Sequence, residues 1–217
     1  MQPKLVIFDW DGTLADTTSP IIATFQESFK ACGLPVPAAD EIRPLIGYNL
    51  PSIIRRLAPD LGEHLYEELA ETYAAHYLNP NNRNMRLFDS AIPCLQTLKE
   101  QGYWLAVATG KGRTGLDKAI AQTQTAGFWL ATACASEQPS KPAPDMVFKL
   151  CDELGLMPSE TLVVGDTTHD LDMAANAGAP AVAVSTGAHT VEQLRGSLHL
   201  AVLNDLSELP DFLAGLA

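Results

Sequence analysis

Paired cysteines, long apolar runs and basic charge are all scarce in this chain of 217 residues. Cys32, Cys94, Cys134 and Cys151 are scattered, with no C-x-x-C pair and no metal-type spacing. Buried, reduced thiols are therefore expected. No apolar run approaches the ~18 residues of a membrane span, and no signal-peptide pattern precedes Leu5. A cytoplasmic protein with no membrane partner is the expectation. Lys and Arg number 14 against 26 Asp and Glu, a formal net charge of −12, which disfavours nucleic acid as a partner. That balance does not exclude an anionic small molecule, because a few local cations outweigh the mean field inside a pocket. What is present suits a soluble globular chain: 47% hydrophobic and 18% charged residues exclude disorder. The length admits one domain with an insertion, or two small domains.

The most informative stretch is Leu5-Val6-Ile7-Phe8-Asp9-Trp10-Asp11-Gly12-Thr13-Leu14. Its branched apolar start reads as a buried strand that ends in two aspartates one residue apart. Alternate side chains of an extended backbone share a side, so Asp9 and Asp11 point into one site and Trp10 points away into packing. Gly12 permits a turn that a Cβ would resist. Two carboxylates at a strand mouth repel each other. A shared cation, a shared proton, or use of one acid as nucleophile reconciles them. An EF-hand reading of D-x-D-G fails, because it puts Ile7 at the first ligand position and Thr18 where the bidentate Glu belongs. A plain turn with two solvated aspartates is the alternative, and the residues further along weaken it.

Helical spacing follows. Ser19-Pro20 predicts a helix start, a capping hydroxyl followed by proline at the first helical position. Ile22, Phe25 and Phe29 form its stripe, and Gly33, Pro35 and Pro37 end it. A second helix is expected from Pro51 and a third from Glu63 to Leu78, with Leu65, Leu69, Tyr73 and Tyr77 four apart. Asn79-Pro80-Asn81-Asn82 breaks the pattern, so residues 17–86 read as an all-helical insertion. Helix and strand then alternate. Ser90 caps a helix ended by Gly102, and strands are expected at Trp104 to Ala108, Trp129 to Ala133, Thr161 to Val164, Ala181 to Val184 and Leu200 to Leu203. Such alternation predicts an α/β fold, a parallel sheet covered by helices on both faces, built from residues 1–16 and 87–217. Ligands of such sheets sit at the carboxyl ends of the strands.

Four of these strand ends carry polar chemistry. They hold Asp9 and Asp11; Thr109-Gly110-Lys111; Ser140-Lys141-Pro142; and Gly165-Asp166-Thr167-Thr168-His169-Asp170. In a parallel sheet all four sets meet at one edge. In this order, Asp9-x-Asp11-Gly12-Thr13, Thr109-Gly110, Lys141-Pro142 and Gly165-Asp166-x3-Asp170 resemble the four motifs of the haloacid dehalogenase superfamily, over nearly the whole chain. The insertion after the first motif resembles the helical cap of the branch typified by phosphoglycolate phosphatase and β-phosphoglucomutase.

The resemblance implies a Rossmann-like core at 1–16 and 87–217 and a cap at 17–86. It implies Mg²⁺-dependent hydrolysis of a small phosphate monoester, phosphoglycolate-like or sugar-phosphate-like, through an aspartyl-phosphate. Asp9 would be the nucleophile, and Asp11 would protonate the leaving oxygen and then activate water. Thr109, the Gly110 amide and Lys141 would hold the phosphoryl oxygens. Mg²⁺ would bind Asp9, the Asp11 backbone carbonyl and Asp166, while Asp170 orients a metal-bound water or Lys141 from outside. The family's dehalogenases lack the second aspartate, so Asp11 argues for phosphoryl transfer. Its phosphonate-cleaving members use a cap lysine, and the insertion holds Lys30, within a helix. The implied partner is a small phosphorylated metabolite, and the protein a monomer or weak homodimer.

Other readings compete. Gly110-Lys111-Gly112-Arg113-Thr114-Gly115 matches a dinucleotide-binding G-x-G-x-x-G, with Glu137 roughly where a ribose-binding acid belongs. It would leave Asp9, Asp11, Lys141, Asp166 and Asp170 without a purpose. A catalytically inert binding member of the fold would be revealed by a lost nucleophile or acid, and both are present. A phosphomutase is the alternative among enzymes. In the insertion, Arg43, Gly47, Tyr48, Asn49 and Arg55 are candidates to contact the non-phosphate part of the substrate, against simple exposure or packing. Lys111 either approaches the phosphate or is solvated. His169 is expected to be a hydrogen-bonded helix-start residue, and His64, His76, His189 and His199 surface residues. Cap motion would be absorbed at Asp16-Thr17 and at residues 84–89.

Overall fold

The computed structural model describes residues 3–79 and 85–216. Six strands, β1 (Leu5–Phe8), β2 (Trp104–Thr109), β3 (Ala131–Cys134), β4 (Thr161–Gly165), β5 (Ala181–Val184) and β6 (Ala201–Leu203), form one parallel sheet. Their order is β3-β2-β1-β4-β5-β6. The chain winds outward from β1 to β3 on one side and from β4 to β6 on the other. The order therefore reverses beside β1, and a crevice opens there at the carboxyl ends.

Helices α1 (Thr18–Ala31), α2 (Ala39–Ile42), α3 (Leu50–Leu57) and α4 (Glu63–Leu78) lie between β1 and β2. Then come α5 (Ala91–Glu100), α6 (Arg113–Thr123), α7 (Asp145–Leu154), α8 (Thr168–Ala177), α9 (Val191–Leu194) and α10 (Leu209–Ala214). The continuous apolar run of β1 follows from cover on both faces. Val6 and Phe8 join Val107 and Val164 in one buried layer with residues of α5, α6 and α10. Leu5 and Ile7 join Ala106 and Val163 in the other, with α7 and α8. Ile21, Phe25, Ile42, Ile53, Ile54 and Leu69 make a third cluster among α1–α4. The stretches leading into α1 and α5 run side by side, with the Asp16 amide on the Arg86 carbonyl at 2.8 Å and the Phe88 amide on the Leu14 carbonyl at 3.0 Å.

Several local expectations need correction. Helix α1 begins at Thr18, so Ser19 and Pro20 fall inside its first turn. The Thr17 hydroxyl does not cap it, because it donates to Asp11 Oδ1 at 2.6 Å. Ser90 precedes α5 without a side-chain capping bond. Strand β3 starts at Ala131 rather than Trp129, since residues 126–128 form a 3₁₀ turn. The Trp129 ring instead packs beside Phe8 and Trp10, with centroids 6.3 and 6.2 Å apart. Helix α4 ends at Leu78, and residues 80–82 of the expected break and residue 84 of the expected hinge lie outside the described residues. Among the described residues, no helix is long and apolar enough to cross a membrane.

Candidate active site

Asp9 follows β1 directly, and its amide extends the ladder by donating to the Val164 carbonyl at 2.9 Å. Its side chain is buried against Lys141, whose Nζ donates to Asp9 Oδ1 at 2.5 Å and to Asp170 Oδ1 at 2.6 Å. The Lys141 loop is fixed at two points. Asn176 Nδ2 donates to the Pro142 carbonyl at 2.9 Å, and the Ser140 hydroxyl accepts from the Asn49 amide at 2.9 Å. Asp170 Oδ2 accepts from the Thr167 amide and hydroxyl at 3.2 and 2.7 Å, a capping box that opens α8. Asp166 is held from both sides, by the Thr13 hydroxyl at 2.8 Å and the Ala188 amide at 2.8 Å.

Three buried acids and one buried cation leave excess negative charge. Burial pushes the Asp9 carboxyl up to about 7 against the pull of Lys141, and Asp170 and Asp11 add repulsion. Burial, with Asp9 and Asp170, holds Asp166 well above the usual carboxylate range. Burial works against the Lys141 charge, yet Asp170 and Asp9 hold its ammonium above the ordinary lysine value. Asp9 Oδ2 is buried with no hydrogen-bond partner. Carboxylate oxygens of Asp9, Asp166 and Asp170 lie within 4.8 Å of one another. An orphaned oxygen in a cluster of hard oxygen donors fits a hard divalent cation such as Mg²⁺. The expected donors Asp9 and Asp166 both belong to this cluster. The Asp170 carboxylate joins it, although its expected place was outside.

The Asp11 side chain turns elsewhere. Its Oδ1 accepts from Thr17, and Lys111 Nζ lies 2.7 Å away. Lys111 is buried rather than solvated, and it also donates to the Tyr77 hydroxyl on α4 at 2.6 Å. Burial opposes its charge, but Asp11 and Tyr77 hold its ammonium above the ordinary value. Gly12 makes the turn between Asp11 and Thr13 at φ +84°, a conformation that favours glycine. Thr109 is buried at the end of β2. Gly110 is packed against the 46–49 loop, where an added Cβ would meet the Gly47 and Tyr48 carbonyl oxygens at 2.5 and 2.6 Å. That close approach, rather than a dinucleotide, accounts for the first glycine of G-x-G-x-x-G. Glu137 is engaged by Arg113 through two bonds of 2.7 and 2.9 Å, so it is not offered to a ribose.

A cavity of about 460 Å³ opens on Asp9 and Asp11. Gly47, Tyr48 and Asn49 line it, together with Gly110 and Lys111. Arg43 and Arg55 do not. Arg43 sits in a short 3₁₀ turn, and Arg55 pairs with Glu63 at 2.7 Å over the Tyr66 ring. His169 starts α8 with Nε2 3.0 Å from the Pro44 carbonyl. His189 is buried too, contrary to the surface expectation. Its Nδ1 accepts from the Thr168 amide at 3.1 Å, and its Nε2 meets the same Pro44 carbonyl at 3.2 Å. Sequence reasoning missed Tyr77 as a site residue. Its place in the α4 stripe signalled packing, and only its hydroxyl hinted at more.

The family model of haloacid dehalogenase-like hydrolases matches residues 6–184. The protein named "Probable phosphatase IndB" of Dickeya dadantii is 34% identical over 96% of this chain and 92% of its own length. Phosphoglycolate phosphatase of Vibrio parahaemolyticus is 26% identical over 97% of this chain and 96% of its own. The crystal structure of a predicted phosphoglycolate phosphatase from Haemophilus somnus shares the fold, with a TM-score of 0.89 at 24% identity and 98% coverage of both chains. With its four polar strand ends gathered at one edge of a parallel sheet, the chain belongs to the haloacid dehalogenase-like hydrolase family, among its phosphatases.

Proposed function

We propose that this phosphatase is Mg²⁺-dependent and hydrolyses a small phosphate monoester through an aspartyl-phosphate on Asp9. The observation that carries the reading is Asp9 Oδ2, buried and unpartnered on a residue that lines the cavity. Asp9, Asp166 and Asp170 would hold Mg²⁺, which supplies charge neutralisation for the carboxylates and the phosphoryl oxygens when bound. Asp9 attacks phosphorus as the bond to the leaving oxygen breaks. Asp11, positioned by Thr17 and Lys111, gives a proton to that oxygen and later takes one from the attacking water. Hydrolysis of the acyl phosphate then frees inorganic phosphate and restores Asp9. The Thr109 hydroxyl, the Gly110 amide and Lys141 hold the phosphoryl oxygens through the transfer. Helices α1, α3 and α4 wall the cavity, and their approach to a bound ester would exclude water. Free thiols suit a reducing compartment, the cytoplasm.

Phosphate release from p-nitrophenyl phosphate tests this, with Mg²⁺ or EDTA, in the wild type and Asp9→Asn. Activity is expected only for the wild type with Mg²⁺. Undiminished turnover by Asp9→Asn overturns the reading.

A further inference from the structure

Resting on that phosphatase reading, we infer that the alcohol part of the substrate is an apolar alkyl or aryl group carrying no second acidic group. The cavity has one polar end. On the side of the helical insertion its walls come from Ile21 and Phe25 of α1, Ile46, Leu50 and Ile53 of the following segments, and Tyr73 of α4, and the facing wall is the loop of residues 110–115 with 135–136. Its volume of about 460 Å³ falls in the roughly 300–1,000 Å³ range of pockets that enclose drug-sized ligands. A phosphoryl group with a two-carbon acid fills little of that. The aromatic walls are held in place by packing on one another. Tyr73 and Tyr77 stack at an interplanar angle of 7° with centroids 6.1 Å apart, and Phe25 lies 4.3 Å from Tyr73.

The charges lining the cavity are already engaged. Among the described residues its cations are Lys111 and Arg113. Lys111 is committed to Asp11 and Tyr77, and Arg113 to Glu137, Asp117 and Thr132. A glycolate carboxylate placed among the apolar walls would be desolvated without a partner, or would have to break a buried ion pair. Sugar hydroxyls fare little better. Asn49 Oδ1 caps α3 by accepting from the Ser52 amide at 2.9 Å, and the Ser136 hydroxyl accepts from the Arg113 amide at 3.0 Å. Asn49 Nδ2 and the Tyr73 and Thr114 hydroxyls suit one or two neutral polar groups, fewer than a polyol presents. Apolar burial at this end is binding energy available to orient the ester over Asp9.

Calorimetric binding of n-hexyl phosphate, 2-phosphoglycolate and ribose 5-phosphate to Asp9→Asn with Mg²⁺ tests this, with wild-type turnover of each ester run in parallel. Hexyl phosphate is expected to bind roughly tenfold or more tighter than either competitor, from its buried methylenes. Ala74→Arg, which puts a cation on the α4 wall, should weaken hexyl phosphate and tighten phosphoglycolate. Phosphoglycolate or ribose 5-phosphate binding as tightly as hexyl phosphate in the unsubstituted cavity overturns the inference, whether or not Ala74→Arg folds. Failure of the wild type to release phosphate from any of the three esters, with the binding order intact, overturns the phosphatase reading alone.

Discussion

Lys111 Nζ donates to the Tyr77 hydroxyl at 2.6 Å while lying 2.7 Å from Asp11 Oδ1, so one buried ammonium joins α4 to the acid after β1. This contact spans the wall and the floor of the cavity. It also gives Asp11 a cationic neighbour that no local sequence pattern would supply.

A double-mutant cycle of Tyr77→Phe and Lys111→Met measures that link. Coupling of about 1.5–3 kcal/mol is expected in urea denaturation, as for a hydrogen bond to a charged group. Strict additivity of the two substitutions would show that the contact contributes nothing in solution.

Lys141→Met removes the cation between Asp9 and Asp170. Loss of one partner from a buried ion pair costs about 3–5 kcal/mol, because the carboxylates stay behind uncompensated. The folded lysine value is raised, so its contribution is whole below the unfolded value and present at pH 8. Destabilisation should therefore be full at pH 8 and shrink toward pH 5, where protonation of Asp9 relieves the repulsion. Equal losses at both pH values in chemical denaturation would contradict this electrostatic account.

Divalent cation should raise the melting temperature more at pH 8 than at pH 6. Asp9 is raised to about 7, so its carboxyl contributes stability that is present below the unfolded value and lost as pH climbs through about 7. Above that point the uncompensated charge is what Mg²⁺ offsets; below it, the proton competes. Scanning calorimetry with Mg²⁺ and with EDTA checks both arms. In Asp166→Asn the Mg²⁺-dependent rise should disappear.

His169 predicts a second pH dependence of opposite sign. Burial, partly offset by the Pro44 carbonyl, pushes its imidazole down to about 4. The unfolded chain binds the proton more readily, so stability is present above about 6.5 and lost as pH falls toward 4. The full loss is on the order of 3 kcal/mol. His169→Gln should flatten the wild-type slope between pH 6.5 and 4.5 in urea titrations. Parallel slopes in the two proteins would place the titration on another group.

Much of the architecture is legible locally. Helix α4 has the bounds its four-residue spacing predicts, Glu63 to Leu78, although of that stripe Leu65 is exposed and Leu69 alone is fully buried. The parallel sheet is legible in its branched strands and the helices between them. Ser19-Pro20 and Trp129 misled for a physical reason. A capping hydroxyl and a bulky ring report only local preference, and here α1 starts at Thr18, ahead of Ser19, while the Phe8–Trp10 surface claims Trp129.

By itself, the sequence determined the order of the polar strand ends along the chain and the family, since hydrophobic period and motif spacing are properties of neighbouring residues. The tertiary structure alone decided which charges meet. Tyr77 reaches Lys111 across 34 positions, Lys141 reaches Asp9 across 132, and Arg55 is drawn to Glu63 away from the cavity. Such pairings depend on distances of a few ångströms between separate elements. Only packing sets those distances, because the energy of a buried charge depends on what surrounds it in space rather than along the chain.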